Sequence, residues 1–387
     1  MRSLQAIAPI VLAVTEAESV VEVRSKFDLD DERVVVPVDV AIETATGILE
    51  HSGCRPARAR SIAEHLCDAS LCGVESHGLM RLIQYVEQFE SGYMHPGSEP
   101  ELKRNERGVV WIDGHGGHGI PAMNLAVEVA CAEASGRGAS VLAIRNVGHT
   151  GRLGAFTESV ADRGHLCIVL GGGNRSAWRQ VAPHGGRKAM LPTNPYSIAL
   201  PGGERGPVVL DFATARIAGG WIYAARDAGG RLPDDVLMDA DGCATTDPED
   251  YFRGGAILPA AGAKGYALAL VAEVMAEAML GPATTEANWL MITVDTSRYQ
   301  QAPVMRCIAE EILSELRSCP AMPGFERVEI PGEREREHRE RARRSGVAVP
   351  RETWSKLLGL ARRQADGKSP AGGRNISGAP DGRMMDR

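Results

Sequence analysis

Aromatic residues make up only 5% of this 387-residue chain, whereas glycine reaches 44 residues. That balance predicts tight turns and close backbone approaches and excludes a repeat fold. No apolar run approaches the roughly 20 residues that span a bilayer, so no membrane span is expected. Arg2 and the apolar run Leu4–Val14 resemble the start of a signal peptide, but Pro9 breaks the run and no clean small-residue cleavage site follows. Cys-x-x-Cys is absent, and the eight cysteines are scattered from Cys54 to Cys319. In a chain of this length that pattern predicts reduced thiols and a cytoplasmic location. Positive charge is not in excess. The formal net charge of -7 excludes a globally basic, nucleic-acid-binding surface. His-Glu-x-x-His is absent, and no histidine set has metal-ligand spacing, so no metal is expected.

The length and the ordinary soluble composition, 44% hydrophobic and 24% charged, predict two or three domains with ample core. Residues 1–34 precede the first strong pattern and read as an N-terminal extension. Apolar residues at helical spacing predict helices over 38–52, 55–71 and from about 79 to 92. From residue 109 strand and helix signals alternate, which predicts an α/β core. Strands are expected at 109–112, 139–147, 166–170, 197–200, 208–211 and 289–294. Helices are expected at 122–135, 153–163, 214–225, 261–280, 302–318 and 354–363. The dense Glu and Arg run at 333–344 reads as a solvated, ion-paired helix face. The expected partition is a helical domain of 35–105 with 300–364, an α/β domain of 106–299, and a disordered tail of 365–387.

Chemistry concentrates in a few stretches. Gly73–Tyr85 packs Ser76, His77, Arg81 and Tyr85 around a helix start. Arg81 and Tyr85 are four apart and share a face that suits a small carboxylate; an N-cap serine and a surface arginine are the plainer alternative. Val109–Asp113 followed by Gly114–Gly119 matches G-x-G-x-x-G. It is discounted as a dinucleotide fingerprint, because the next strand ends in Arg145-Asn146 and not in an acidic ribose ligand. Asn146–Gly154 places His149 just past a buried strand, where a proton-exchanging imidazole serves alcohol–ketone interconversion; a turn histidine bonded to backbone is the alternative. Val181–Gly186 and Pro192–Pro195 are fixed turns that by themselves name no chemistry. Asp211 ends a strand, with Thr214 as a candidate cap of the next helix. Lys264 starts a helix between glycines, which suits a phosphate or ribose.

In order, these stretches are Gly-x-x-Ser-His-Gly-x-x-Arg-x-x-x-Tyr, Gly-His-x-Gly, Ala-Pro-x-Gly-Gly, Thr-Asn-Pro, Asp-Phe-Ala-Thr, Leu-Pro-x-x-Gly-x-Lys-Gly-Tyr and Pro-Gly-Glu at 331–333. The set resembles the malate/L-lactate dehydrogenase family of the ureidoglycolate dehydrogenase type, from about Val36 to Ala361. That family also includes sulfolactate and diketogulonate dehydrogenases and ketimine reductases. The resemblance implies a helical domain joined to an unusual, non-Rossmann NAD(P)-binding α/β domain, and a homodimer with the active site near the interface. It implies a hydride-transferring 2-hydroxy acid dehydrogenase with NAD or NADP as cofactor and a small anionic substrate. His149 is then the acid/base, with Ser76 and His77 as catalytic relay, and Ser76, Arg81, Tyr85 and His149 contacting substrate. Thr150, Gly151, Gly173, Asn174, Asp211, Phe212, Ala213, Lys264, Gly332 and Glu333 are the implied cofactor contacts. Arg152 and Arg175 are candidates for the extra phosphate of NADP.

The chain departs from the family pattern where Pro192 precedes Thr193-Asn194, where Gly219-Gly220-Trp221 replaces a glycine–lysine step, and at 173–178. Trp178 and Trp221 are therefore candidate reshapers of the pocket. The rival readings are ketimine reduction and a non-catalytic nucleotide-binding protein. A serine hydrolase built on Ser76 and His149 is a rival from another class, weakened because Val74 breaks G-x-S-x-G.

Overall fold

The structure is a computed structural model that describes residues 32–227 and 229–365. Residues 1–31 of the expected extension and 366–387 of the expected tail lie outside the described residues. The extension is shorter than expected: Arg33–Val36 is a strand, β1, paired antiparallel with Val347–Pro350. Pro37 ends it and leads into α1, Val38–His51. Pro56 occupies the first turn of α2, Pro56–Leu71, where its missing N–H costs nothing. A separate 3-10 turn, Glu75–His77, precedes α3, Arg81–Glu90.

A seven-stranded sheet follows. Its strands are β2 (Glu101–Arg104), β3 (Val110–Gly117), β4 (Ala139–Val147), β5 (His165–Gly172), β6 (Tyr196–Leu200), β7 (Val208–Phe212) and a later strand, Ala287–Asp295. Between them lie α4 (Gly119–Arg137), α5 (Leu153–Asp162) and α6 (Gly219–Asp227). A small sheet of two-residue strands, β8 (Leu237–Met238), β9 (Ala244–Thr245) and β10 (Ala256–Ile257), flanks α7 (Pro248–Phe252). Then come α8 (Ala263–Val274), a π-helical turn at Met275–Met279, β11 (Ala287–Asp295) and α9 (Ala302–Arg317). The chain closes with α10 (Glu333–Ser345), β12 (Val347–Pro350) and α11 (Arg351–Ala365). Ala365, placed in the tail by the sequence, ends this helix.

The sheet order is β2-β3-β4-β11-β5-β6-β7. Only β3 and β4 run parallel; every other neighbouring pair is antiparallel. This is not the parallel sheet of a doubly wound dinucleotide fold. Gly114–Gly117 continue β3, so the G-x-G-x-x-G stretch is mostly strand and no phosphate turn. Its glycines are needed for packing: a Cβ on Gly114 would overlap Val147 of β4.

One apolar core joins the expected domains. Ile48 and Leu66 of the helices, Ile112, Leu142 and Met291 of the sheet, and Leu357 of α11 belong to one contiguous cluster. Full burial of each such side chain stabilises by about 1.5–3 kcal/mol. The sheet also begins before residue 106, at β2. The face of α10 is not simply solvated, because Arg339 reaches inward to Glu158 at 2.6 Å and Asp68 at 3.0 Å.

Candidate active site

The parallel pair sets the geometry. The carboxyl ends of β3 and β4 lie side by side, followed by His118 and His149. Gly148 N–H donates to the Gly117 carbonyl at 2.8 Å, and Gly119 N–H to the His149 carbonyl at 3.1 Å. His118 caps α4 by accepting from Ile120 N–H at 3.2 Å. Its ring meets Tyr85 edge-on, with centroids 4.3 Å apart.

His149 accepts on Nδ1 from Gly151 N–H at 3.1 Å. The Tyr85 hydroxyl lies 2.6 Å from the same nitrogen. A backbone N–H can only donate, so the neutral ring carries its proton on Nε2 and Tyr85 is the second donor to Nδ1. Burial pushes the His149 pKa well below 6.5, helped by the Arg81 guanidinium and by His77. The ring is therefore neutral near pH 7. His77 stacks beside it at 5.3 Å and is held down to about 3 by burial, then by Arg81 and Arg152.

Ser76 Oγ and His77 Nδ1 are 3.0 Å apart in the 3-10 turn. Arg81, at the first residue of α3, donates through Nε to the Ser76 carbonyl at 2.6 Å and through Nη1 to Gln84. Its Nη2 lies toward Gly220, at the start of α6. Ser76, His77, Arg81 and His149 thus share one wall of a cleft of about 2560 Å³. Tyr85 does not line that cleft; it is fully buried behind His149.

Thr150, Gly151, Asp211, Phe212 and Ala213 also line the cleft. Asp211 accepts from Gly154 N–H at 2.6 Å, so it caps α5 and not the helix that follows it. Burial raises its pKa against the pull of that N–H and of Arg152. Thr214 is no helix cap, since α6 starts five residues later and the Thr214 hydroxyl donates to Thr193 O at 2.8 Å. The remaining expected cofactor contacts do not line the cleft. Gly173 N–H donates to Glu273 at 2.9 Å, and buried Asn174 donates to the Thr285 carbonyl. Lys264 stands exposed at the start of α8. Gly332, with φ near +91°, starts α10, and Glu333 is buried against Arg317 at 2.7 Å. Arg152 is also committed inside the protein, to Asp68 at 3.1 Å and Glu158 at 3.4 Å, while Arg175 pairs with Glu277 at 2.8 Å.

Trp178 and Trp221, the two departures, both line the cleft. Trp178 donates to the Tyr93 hydroxyl at 3.2 Å. Sequence reasoning missed Glu286 and Gln88, which line the same cleft. Burial lifts the Glu286 pKa to about 7, against opposing effects of Arg81 and Gln88. No periodicity marks Glu286 in Thr284-Thr285-Glu286-Ala287; only the pairing of Ala287 with Val147 brings it beside the His149 loop. Among the described residues no cluster of His, Cys, Asp and Glu has the makings of a metal site.

Residues 36–358 match the family model for malate/L-lactate dehydrogenase. The chain belongs to that family. It is 33% identical over 341 residues to the Delta(1)-pyrroline-2-carboxylate/Delta(1)-piperideine-2-carboxylate reductase of Pseudomonas putida, covering 84% of this chain and 96% of that one. It is 30% identical over 314 residues to the L-sulfolactate dehydrogenase of Methanothermobacter thermautotrophicus, covering 78% and 89%. A dehydrogenase from Sinorhizobium meliloti superposes with a TM-score of 0.76 at 29% identity, covering 85% of this chain and 98% of that one. All three are dehydrogenases or reductases.

Proposed function

We propose that this family member is a nicotinamide-dependent oxidoreductase of small 2-oxo and 2-hydroxy acids, with His149 as acid/base and Arg81 as carboxylate anchor. The observation that carries the reading is the neutral His149 ring, fixed through Nδ1 and lining one wall with Arg81. The cleft exceeds the roughly 300–1,000 Å³ of a site for one small ligand, so a dinucleotide fits beside a substrate. Thr150, Gly151, Asp211, Phe212 and Ala213 would hold NAD or NADP, with Arg341 of α10 lining the same cleft for phosphate charge. When bound, the nicotinamide supplies or accepts the hydride.

The chain's own residues position and protonate. Arg81 anchors the carboxylate, which fixes the neighbouring carbon in the cleft. His149 Nε2–H donates to the substrate oxygen as negative charge develops there. For reduction the ring first takes a second proton on Nδ1, with the Tyr85 oxygen as its acceptor, so that giving up Nε2–H leaves a neutral imidazole. In oxidation Nε2 of that neutral, Nδ1-protonated ring takes the hydroxyl proton. The Ser76–His77 bond beside this ring supports a second reading, reduction of a C=N bond with those two residues as relay.

His149→Ala is expected to lower kcat about 10²–10⁴-fold while nucleotide affinity, read by fluorescence titration, stays unchanged. Near-normal turnover of 2-oxo acids by that variant removes His149 from the chemistry. We further propose a homodimer, supported by the uncovered apolar rows Leu268, Val271, Val274 on α8 and Val304, Ile308, Ile312, Leu316 on α9.

A further inference from the structure

We infer that Glu286, together with Gln88, reads a positively charged or N–H-donating group on the substrate, so that the site selects zwitterionic acids over simple monoanions. The inference rests on the reading above, in which Arg81 takes the carboxylate.

Glu286 lies just before β11, where Ala287 pairs with Val147 at the end of β4. The neighbouring Thr285 hydroxyl donates to the Val147 carbonyl, which ties this segment to the strand that delivers His149. The same cleft is lined by Glu286, Gln88, Tyr93, Trp178, Arg81 and His149. Glu286 is thus a carboxylate in the wall that also carries the carboxylate anchor. An acid that serves only as a monoanionic substrate's neighbour would repel it.

Gln88 adds a second, independent sign. Its Oε1 is buried and has no hydrogen-bond partner. A buried acceptor without a donor costs stability unless a ligand completes it. Glu286 and Gln88 Oε1 are both acceptors, so what completes them is a donor: an ammonium, an iminium or an N–H. Three neighbouring donors are already engaged elsewhere. Arg81 is engaged by the Ser76 carbonyl and Gln84. The Tyr85 hydroxyl is committed to His149, and the Trp178 N–H to Tyr93. Burial holds the Glu286 carboxyl at about 7, a state that an incoming cation resolves by favouring the ionised form. With the Arg81 guanidinium and the Glu286 carboxyl lining the same cleft beside His149, the complementary small molecule carries both signs. A 2-imino acid protonated at nitrogen, and the 2-amino acid formed from it, have that pattern; a 2-oxo or 2-hydroxy acid with an apolar side chain does not.

The test compares wild type with Glu286→Gln, which keeps size and the capacity to bond Gln88. Calorimetric titration with pipecolate and with 2-hydroxyhexanoate measures binding without turnover. Pipecolate affinity is expected to fall about tenfold or more in the variant, with 2-hydroxyhexanoate unchanged within about threefold. Glu286→Asp restores part of the loss. Steady-state reduction of the cyclic 2-imino acid and of 2-oxohexanoate is expected to split in the same direction, through KM more than kcat. An equal loss for both ligands, or no loss for either, overturns the inference. Absence of nicotinamide-dependent turnover in the wild type overturns the oxidoreductase reading instead, because the binding comparison stands apart from it.

Discussion

Tyr85 and Arg81 show how one helical turn divides its labour. They are four residues apart on α3, yet one guanidinium reaches the cleft and one phenol stays behind it. The sequence made both of them substrate contacts. Spacing alone could not reveal that the phenol is aimed at a histidine 64 positions later. Arg81→Leu is expected to raise KM for acidic substrates about tenfold or more, with a smaller effect on kcat, since it removes an anchor that acts before and during the reaction. Steady-state kinetics with a 2-oxo acid and its methyl ester check this, and an unchanged KM places the anion elsewhere. Asn194 of Thr-Asn-Pro serves a different end. Buried, with φ near +36°, it donates to Glu273 at 2.8 Å.

Elements were legible where periodicity was local. α1, α2, β4, α5 and α9 lie within a residue or so of their expected limits, because their apolar spacing reports their own buried faces. β1 and β12 were not legible, because each is four residues long and their pairing spans most of the chain. The two-residue strands β8 to β10 carry no pattern at all. α10 was misjudged for a related reason: the partners that bury its arginines, Glu158 and Asp68, come from α5 and α2. The junction of β5, the 173–175 loop and α8 is built on Glu273. That carboxylate accepts from Gly173 N–H at 2.9 Å, Arg175 N–H at 3.1 Å and Asn194. Glu273→Ala leaves these buried donors unmade and is expected to destabilise by about 2–4 kcal/mol, measured by chemical denaturation. A change below about 0.5 kcal/mol would mean the junction does not depend on it.

At the scale of the whole molecule, the buried histidines set acid tolerance. Burial holds His65, His77 and His118 down to about 3, and lowers His149 as well. Between about pH 3 and 6.5 the unfolded chain binds more protons than the folded one, so stability is lost as pH falls below 6.5. At pH 5 each of the first three opposes folding by roughly 1–2 kcal/mol. Glu286, raised to about 7, acts in the opposite direction between about 4.5 and 7, joined by Asp211, Asp162 and Glu87, also raised by burial, against the four lowered histidines. The urea midpoint is therefore expected to drop markedly from pH 7.5 to pH 5; a flat profile contradicts the neutral assignment. The uncovered rows on α8 and α9 predict dimers in light scattering, with Ile308→Glu and Ile312→Glu together giving monomers. A monomeric wild type removes the assembly. The three tryptophans of the cleft wall, Trp178, Trp221 and Trp289, have a different consequence. Their emission overlaps the absorption of a reduced nicotinamide, so on the proposed reading a cofactor bound in the cleft would quench them. Cofactor occupancy would then be read from the protein's own emission, without any label.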